Sequence, residues 1–256
     1  MLIDSHCHLN SLSKIAREDV ISSSKSNYCF IDSSIDLNSA KVSLAISSKY
    51  DFVYSALGFH PFAGKTFSPT VVRDYEKLIR DNKRIVAIGE IGLDYKADFP
   101  VQAQEDILSA FIELAKSKGL PVMIHNRWQD TKILDILDKF YSNYRKVVFH
   151  CFSHSQDFLA KIIEREGFVS FSLNILRKKE EILESLGKCP IEKLLLETDS
   201  PYMRVDNKPS TPLDIDKTYA RAAEIKGISR EELEGAISLN IRELFPEIIC
   251  LKKRFS

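Results

Sequence analysis

Eight short apolar runs, spaced along the whole chain and separated by residues with helical spacing, leave this sequence very few folds to adopt. They extend from Met1 to Ser5, Tyr28 to Asp32, Phe52 to Gly58, Ile85 to Glu90, Pro121 to Asn126, Lys146 to His150, Phe168 to Ser172 and Lys193 to Asp199. In the intervals residues recur with helix-type spacing at i, i+3 and i+4, as in Gln104, Ile107, Leu108, Phe111, Leu114 and Ala115, the mark of a helix with one buried stripe. Strands that read as continuous apolar runs are covered on both faces, and parallel strands need crossovers, which such helices supply. Eight β/α units is the count of a closed parallel barrel, so the expected fold class is α/β, a (β/α)8 TIM barrel. Beyond the eighth run, Pro201, Pro209 and Pro212 mark a loop from Ser200 to Pro212, followed by helical patterns at about Leu213 to Lys226 and Arg230 to Leu244. No shift of composition divides the 256 residues, which are expected to form a single barrel domain over 1–256. A doubly wound open sheet is the rival fold.

Several of these runs end on groups that bind metal ions. Asp4-Ser5-His6-Cys7-His8 sets two imidazoles at i and i+2 of a strand, on one face. Glu90, His150 and Asp199 close the fourth, sixth and eighth runs, and His125 ends the apolar part of the fifth. Barrel active sites lie at the C-terminal ends of the strands, so that fold brings all six groups together, which an open sheet has difficulty doing. A single histidine is usually a core or surface residue; four of six histidines at strand ends, joined by Glu and Asp, form a set. Mixed nitrogen and oxygen donors suit divalent ions such as Mg2+, Mn2+ or Zn2+.

Six donors exceed the needs of one ion that keeps an open position, so two divalent metal ions sharing a carboxylate are expected. Glu90 is the expected bridge, because ions in two-metal sites stand about 3.5–4 Å apart. Such ions acidify the water they hold and neutralise charge growing on substrate oxygens, which suits phosphoester hydrolysis. Asp199 is the expected general base, since a carboxylate that binds metal through one oxygen accepts a proton on the other. The catalytic expectation thus falls on Asp199 and Glu90, and the metal expectation on His6, His8, Glu90, His125, His150 and Asp199.

His60 in Gly58-Phe59-His60-Pro61 and Arg127, two residues after His125, can face the same mouth and are expected to bind substrate. An arginine offers a planar fork that matches a phosphate; the alternatives are a packed loop histidine and a salt-bridged arginine. Trp128 either stacks a base or caps the barrel rim. The cluster Arg177, Lys178, Lys179, Glu180, Glu181 reads as an exposed helix start whose cations can touch a phosphate backbone.

Lys plus Arg and Asp plus Glu both total 36, so no basic excess announces a nucleic-acid partner, and a phosphate-bearing substrate needs local cations. Five cysteines, Cys7, Cys29, Cys151, Cys189 and Cys250, suit reduced, buried thiols rather than a disulfide framework. Strand alternation is expected to turn Cys7 and Cys151 away from the neighbouring ligands. No apolar segment reaches the roughly 18 residues of a membrane span, so the expectation is a cytoplasmic protein with no membrane association and no obligate protein partner.

In combination and in order, Asp4-Ser5-His6-Cys7-His8-Leu9, Gly58-Phe59-His60-Pro61, Gly89-Glu90-Ile91-Gly92-Leu93-Asp94-Tyr95, Leu120-Pro121-Val122-Met123-Ile124-His125-Asn126-Arg127, His150-Cys151-Phe152-Ser153 and Leu195-Leu196-Glu197-Thr198-Asp199-Ser200-Pro201-Tyr202 resemble the TatD family of metal-dependent deoxyribonucleases. The resemblance covers nearly the whole chain. It implies a barrel of the metal-dependent hydrolase superfamily with the six residues above as ligands. It also implies hydrolysis of DNA or short oligonucleotides, often 3′ to 5′ on single strands, with Arg127 and His60 near the scissile phosphate. His154 stands where the family usually has glycine, and the 205–212 loop lacks the family's arginines and glutamate. Two other functions stay open: a metal-dependent amidohydrolase or esterase acting on a small molecule, and a barrel that binds nucleic acid without cleaving it. Related amidohydrolases often bridge their metals with a carbamylated lysine on strand four, where this chain has Glu90.

Overall fold

In a computed structural model, which describes residues 1–24, 27–128, 131–177 and 179–248, eight parallel strands form one sheet in chain order. They are β1 Leu2–Cys7, β2 Tyr28–Ser33, β3 Val53–Leu57, β4 Ile85–Asp94, β5 Val122–Arg127, β6 Val147–Phe149, β7 Phe168–Phe171 and β8 Leu194–Leu196. The helices α1 Lys14–Ser24, α2 Leu37–Lys49, α3 Pro69–Asp81, α4 Val101–Lys118, α5 Lys132–Leu137, α6 Gln156–Glu164 and α7 Glu180–Lys188 fill the seven intervals, and α8 Ile215–Lys226 and α9 Arg230–Leu244 follow β8. The first and last strands meet at the rim. Asp199 N–H donates to the His6 carbonyl at 3.0 Å and His8 N–H to the Ser200 carbonyl at 2.8 Å. The expected (β/α)8 barrel is the observed one, and no helix among the described residues is long and apolar enough to cross a membrane.

The strand bounds differ from the apolar runs where polar residues continue the ladder. The fourth run ends at Glu90, but β4 continues to Asp94, with Gly92 pairing with His125 and Asp94 with Arg127. Glu90 therefore lies inside a strand, next to a register shift between Ile88 and Ile91, rather than at its end. Conversely β6 and β8 stop at Phe149 and Leu196, so His150 and Asp199 stand on the loops that follow. Residue type marks burial, whereas strand length is set by backbone pairing, which these polar residues either join or leave.

Two details of packing fix the rim. Helix α4 buries the expected stripe of Gln104, Ile107, Leu108, Phe111, Leu114 and Ala115 and ends at Gly119, whose φ of 69° is left-handed. Each fully buried Ile, Leu or Phe of that stripe contributes about 1.5–3 kcal/mol. Its one polar member is a clamp: Gln104 Oε1 accepts from Asp94 N–H at 2.9 Å, and its Nε2 donates to the Asp94 and Phe99 carbonyls at 3.2 and 2.9 Å. Glycine permits the close approach of the neighbouring strands. A Cβ on Gly92, at φ 155°, would lie 1.8 Å from the His125 carbonyl oxygen, and one on Gly58 would lie 2.3 Å from the Glu90 backbone nitrogen.

Candidate metal centre

Glu90 stands at the meeting point of the donors. Its Oε1 lies 2.7 Å from His125 Nδ1 and 2.8 Å from His150 Nε2. Its Oε2 lies 3.6 Å from the Nε2 atoms of both His6 and His8, and Asp199 Oδ1 is 3.5 Å from His8 Nε2. Within each histidine pair the facing nitrogens are close, 3.1 Å for His6 and His8 and 3.2 Å for His125 and His150. Glu90, His125, His150 and Asp199 line a cavity of about 240 Å3 that opens at the rim, and His6 and His8 lie fully buried beside them. Among the described residues three overlapping donor groups form: His6, Glu90 and His150; His6, His8 and Asp199; and His60, Glu90 and His125.

Backing residues aim the rings. His8 Nδ1 donates to the Ser33 carbonyl at 2.8 Å, and His125 Nε2 donates to Asp94 Oδ2 at 2.9 Å. In neutral rings this leaves the lone pairs of His8 Nε2 and His125 Nδ1 directed at Glu90 and the partner histidine. His6 Nδ1 meets Ser33 Oγ at 3.1 Å, and His150 Nδ1 faces Glu197 Oε1 at 3.4 Å. Glu197 is itself fixed by the Cys151 N–H at 2.8 Å and by the Ser170 hydroxyl. Buried Asp4 ties β1 to the segment after β8, accepting from Thr198 N–H and Oγ1 at 2.9 and 2.6 Å.

Facing nitrogen lone pairs repel unless a proton or a cation lies between them. Two donors bound at about 2.1 Å to one ion, at tetrahedral or octahedral angles, stand roughly 3.0–3.4 Å apart. The observed separations fall in that interval, so the residues present fit divalent ions. Without an ion, protons take that role. Burial disfavours charge on His150, but Glu90 and Glu197 outweigh it and lift its pKa well above the ordinary imidazole value. His8 and His125 shift upward too, burial being overcome by hydrogen bonds to Asp199 and Asp94 respectively. Burial also opposes ionisation of Glu90, yet His150, His60 and the hydrogen bonds from His125 and His150 hold it well below the usual carboxylate range. His6 moves down, through burial and the neighbouring His150.

These shifts set the sign of a pH response. His8, His125 and His150, raised in the fold, contribute stability that is complete below about 6.5, the reference imidazole value, and is lost as pH rises through their folded values. His6 and His60, lowered in the fold, act oppositely: their cost in acid disappears as pH rises through the same reference value. The metal-free protein is therefore expected to weaken as pH rises above about 6.5. Added Mn2+, which binds deprotonated rings, is expected to stabilise increasingly with pH. Thermal unfolding in EDTA and in Mn2+ between pH 5.5 and 8.5 checks this; a melting temperature in EDTA that climbs steadily across the range contradicts it.

Both substrate candidates reach the cavity. Arg127 lines it and is held by Asp94 Oδ2 at 2.9 Å, with its side chain 46% exposed. Asp94 thus joins His125 to Arg127 through one oxygen. His60 Nε2 is 3.4 Å from Glu90 Oε1, while its Nδ1 accepts from Phe62 N–H at 3.1 Å. Burial lowers the His60 pKa to about 3, so the ring is neutral with its proton on Nε2. Asp94→Asn is expected to weaken divalent-ion affinity about 10–100-fold, the usual range for a residue that backs a ligand, and titration of the metal-free variant with Mn2+ measures it. An unchanged affinity would mean that Asp94 serves only Arg127.

Sequence reasoning missed the backing residues Ser33, Asp94 and Glu197. Asp94 and Glu197 stand within the quoted motifs, and their acidity inside apolar strings is the signal that was available. It also misjudged Cys151. This residue lies past the end of β6 with a φ of 45°, outside strand alternation, and its thiol bonds Ser172 Oγ at 3.2 Å while the residue lines the cavity. Cys7 does point away, its Sγ 3.6 Å from the Ile31 carbonyl. The described cysteines are free thiols; Cys250 and Lys178 lie outside the described residues. Trp128 packs against the core, and the exposed aromatic residues at the mouth are Phe62, Tyr95 and Tyr202.

Eight parallel strands presenting this histidine and carboxylate cluster at one rim define the class of metal-dependent hydrolase barrels. The chain matches the family described as TatD related DNase over residues 3–246. It is 30% identical over 250 residues to an uncharacterized metal-dependent hydrolase of Methanocaldococcus jannaschii, covering 95% of this chain and 96% of that protein. It is 31% identical over 210 residues to the 3′-5′ ssDNA/RNA exonuclease TatD of Klebsiella pneumoniae, covering 78% of this chain and 80% of that one. The crystal structure of a TatD homologue from Escherichia coli K12 superposes with a TM-score of 0.87 at 25% identity, covering 96% of this chain and 98% of the other. The chain belongs to the TatD related DNase family and is a metal-dependent hydrolase acting on ester bonds.

Proposed function

We propose that the protein is a two-metal phosphodiesterase that trims single-stranded DNA or short oligonucleotides from the 3′ end. What carries the proposal is the position of Glu90, whose two oxygens face two separate histidine pairs. In this reading His6, His8 and Asp199 would hold one divalent ion, His125 and His150 would hold the other, and Glu90 would serve both. When bound, the ions supply an acidified water and neutralise charge on the phosphate oxygens. The exonuclease relative from Klebsiella pneumoniae supports the substrate class and the polarity.

The chain's own groups divide the remaining work. Asp199 is kept ionised: burial opposes this, and the hydrogen bond with His8 and the charges of His150 and His6 outweigh it. An ionised carboxylate at the cavity wall could therefore accept the proton of an attacking water. His60, a neutral ring, offers its Nε2 proton to a phosphate oxygen, and Arg127 offers a cationic fork whose position Asp94 sets. The hydrogen bonds from Ser33 and Asp94 and the nearby Glu197 carboxylate keep the imidazoles oriented while substrate enters.

Incubating the purified protein with Mn2+ or Mg2+ and a 5′-labelled single strand tests this. The expected product is a ladder that shortens from the 3′ end. An intact substrate, in the presence of protein whose bound metal has been measured, overturns it.

A further inference from the structure

Beside the catalytic cavity runs a second depression of about 430 Å3. Arg127, Cys151 and Ser153 line both, so the two are continuous. Its walls carry Lys96, Arg127, Arg177 and Lys179 and not one carboxylate, in a chain whose acidic and basic residues are equal in number. Among the described residues Lys96, Arg177 and Lys179 form no ion pair; the Arg177 guanidinium rests 3.9 Å from Met203 Sδ, a weak acceptor. Solvated surface cations in a neutral chain are normally interspersed with acids. A one-sign groove leading out of a site that cleaves a diester is a different arrangement, since it focuses a field along one path.

A second observation concerns the aromatic residues. Among the described residues, seven large apolar side chains are exposed, and the aromatic ones are Phe62, Tyr95 and Tyr202, at 57%, 55% and 55%. All three stand at these openings: Phe62 and Tyr202 line the cavity and Tyr95 lines the groove. A cationic groove with exposed rings at its own wall and at the adjoining cavity matches a polyanion whose bases are free to stack, as in an unpaired strand, better than a duplex.

Building on the phosphodiesterase reading, we propose that this groove is a subsite for the phosphates next to the scissile linkage of a single-stranded oligonucleotide. Arg177 and Lys179 pair with those phosphates, Lys96 adds charge, and flanking bases stack on Tyr95 and on the Phe62 and Tyr202 rings at the cavity mouth. His154 forms part of the wall, its Nε2 bonded to the Asn126 carbonyl at 2.9 Å. The subsite makes the enzyme prefer a chain of several nucleotides to a dinucleotide.

The test compares binding of a fluorescent phosphorothioate hexanucleotide with that of the matching dinucleotide, by anisotropy, on the Mn2+-loaded protein. Wild type should favour the hexamer. In Arg177→Ala/Lys179→Ala the ratio of hexamer to dinucleotide affinity should fall roughly tenfold, and the slope of log affinity against log salt should drop by about 0.7 for each cation removed. Arg177→Lys/Lys179→Arg, which keeps the charge, should retain the ratio and controls for folding. No hexamer preference in wild type, or a ratio and slope unchanged in the alanine pair, overturns the subsite. The expected ratios together with an uncleaved phosphodiester strand would instead uphold the groove and remove the hydrolytic reading.

Discussion

Glu90→Ala is expected to release at least one divalent ion and to abolish hydrolysis. Both carboxylate oxygens of Glu90 face histidine nitrogens, two pairs of them, so its loss removes a negative charge from both halves of the centre at once. The residue is 4% exposed, and alanine offers no oxygen in its place. Breaking a buried ion pair by removing one partner costs about 3–5 kcal/mol, so the metal-free variant is also expected to unfold at lower temperature than metal-free wild type wherever the rings are protonated. Elemental analysis of the purified variant gives the ion count directly. A metal content equal to wild type contradicts the bridging role, whatever happens to activity.

Asp199→Asn is expected to lower kcat by about 10²–10⁴-fold, the range for loss of a positioned general base, while the affinity for an oligonucleotide stays within a few-fold. Asparagine suits the comparison for two reasons. It keeps an oxygen for the ion, and it tolerates the left-handed φ of 53° found at Asp199, so the Asp199 N–H bond to the His6 carbonyl persists. What it lacks is a basic oxygen. Steady-state kinetics with a labelled strand separates the two parameters: an unaltered kcat assigns the proton transfer elsewhere, and a large rise in KM alone makes Asp199 a binding group.

Much of the barrel was legible because its strands are buried on both faces and so read as apolar runs, and because α4 shows its one buried stripe so plainly. The donor set was legible for a related reason. His6, His8, Glu90, His125, His150 and Asp199 are polar residues that interrupt or end apolar strings, and a parallel barrel gathers the ends of its strands at one rim. Where pattern failed, the backbone had left the regular ladder. Cys151 was expected to face away because strands alternate, yet it stands two residues past the end of β6, at a positive φ, and lines the cavity. Asp94 passed without a role because the apolar run seemed complete at Glu90, although pairing with β5 continues for four residues more.

The one-sign groove shows the other boundary. In the linear chain Lys96, Arg177 and Lys179 are lysines and arginines among equal numbers of acids, and the cluster after β7 contains Glu180 and Glu181. Only folding sorts them, sending the cations to the depression and leaving acids out of its lining.

By itself, then, the order of residues determined the barrel and the choice of candidate donors, since burial periodicity and residue chemistry are local properties that a string records. The tertiary structure alone decided that Glu90 is shared by two histidine pairs, that Ser33, Asp94 and Glu197 aim the rings, and that a cationic path leads away from the centre. Those are distances between residues far apart in the chain, fixed by strand register, loop turns and close packing at glycines such as Gly58 and Gly92, and no local pattern encodes them.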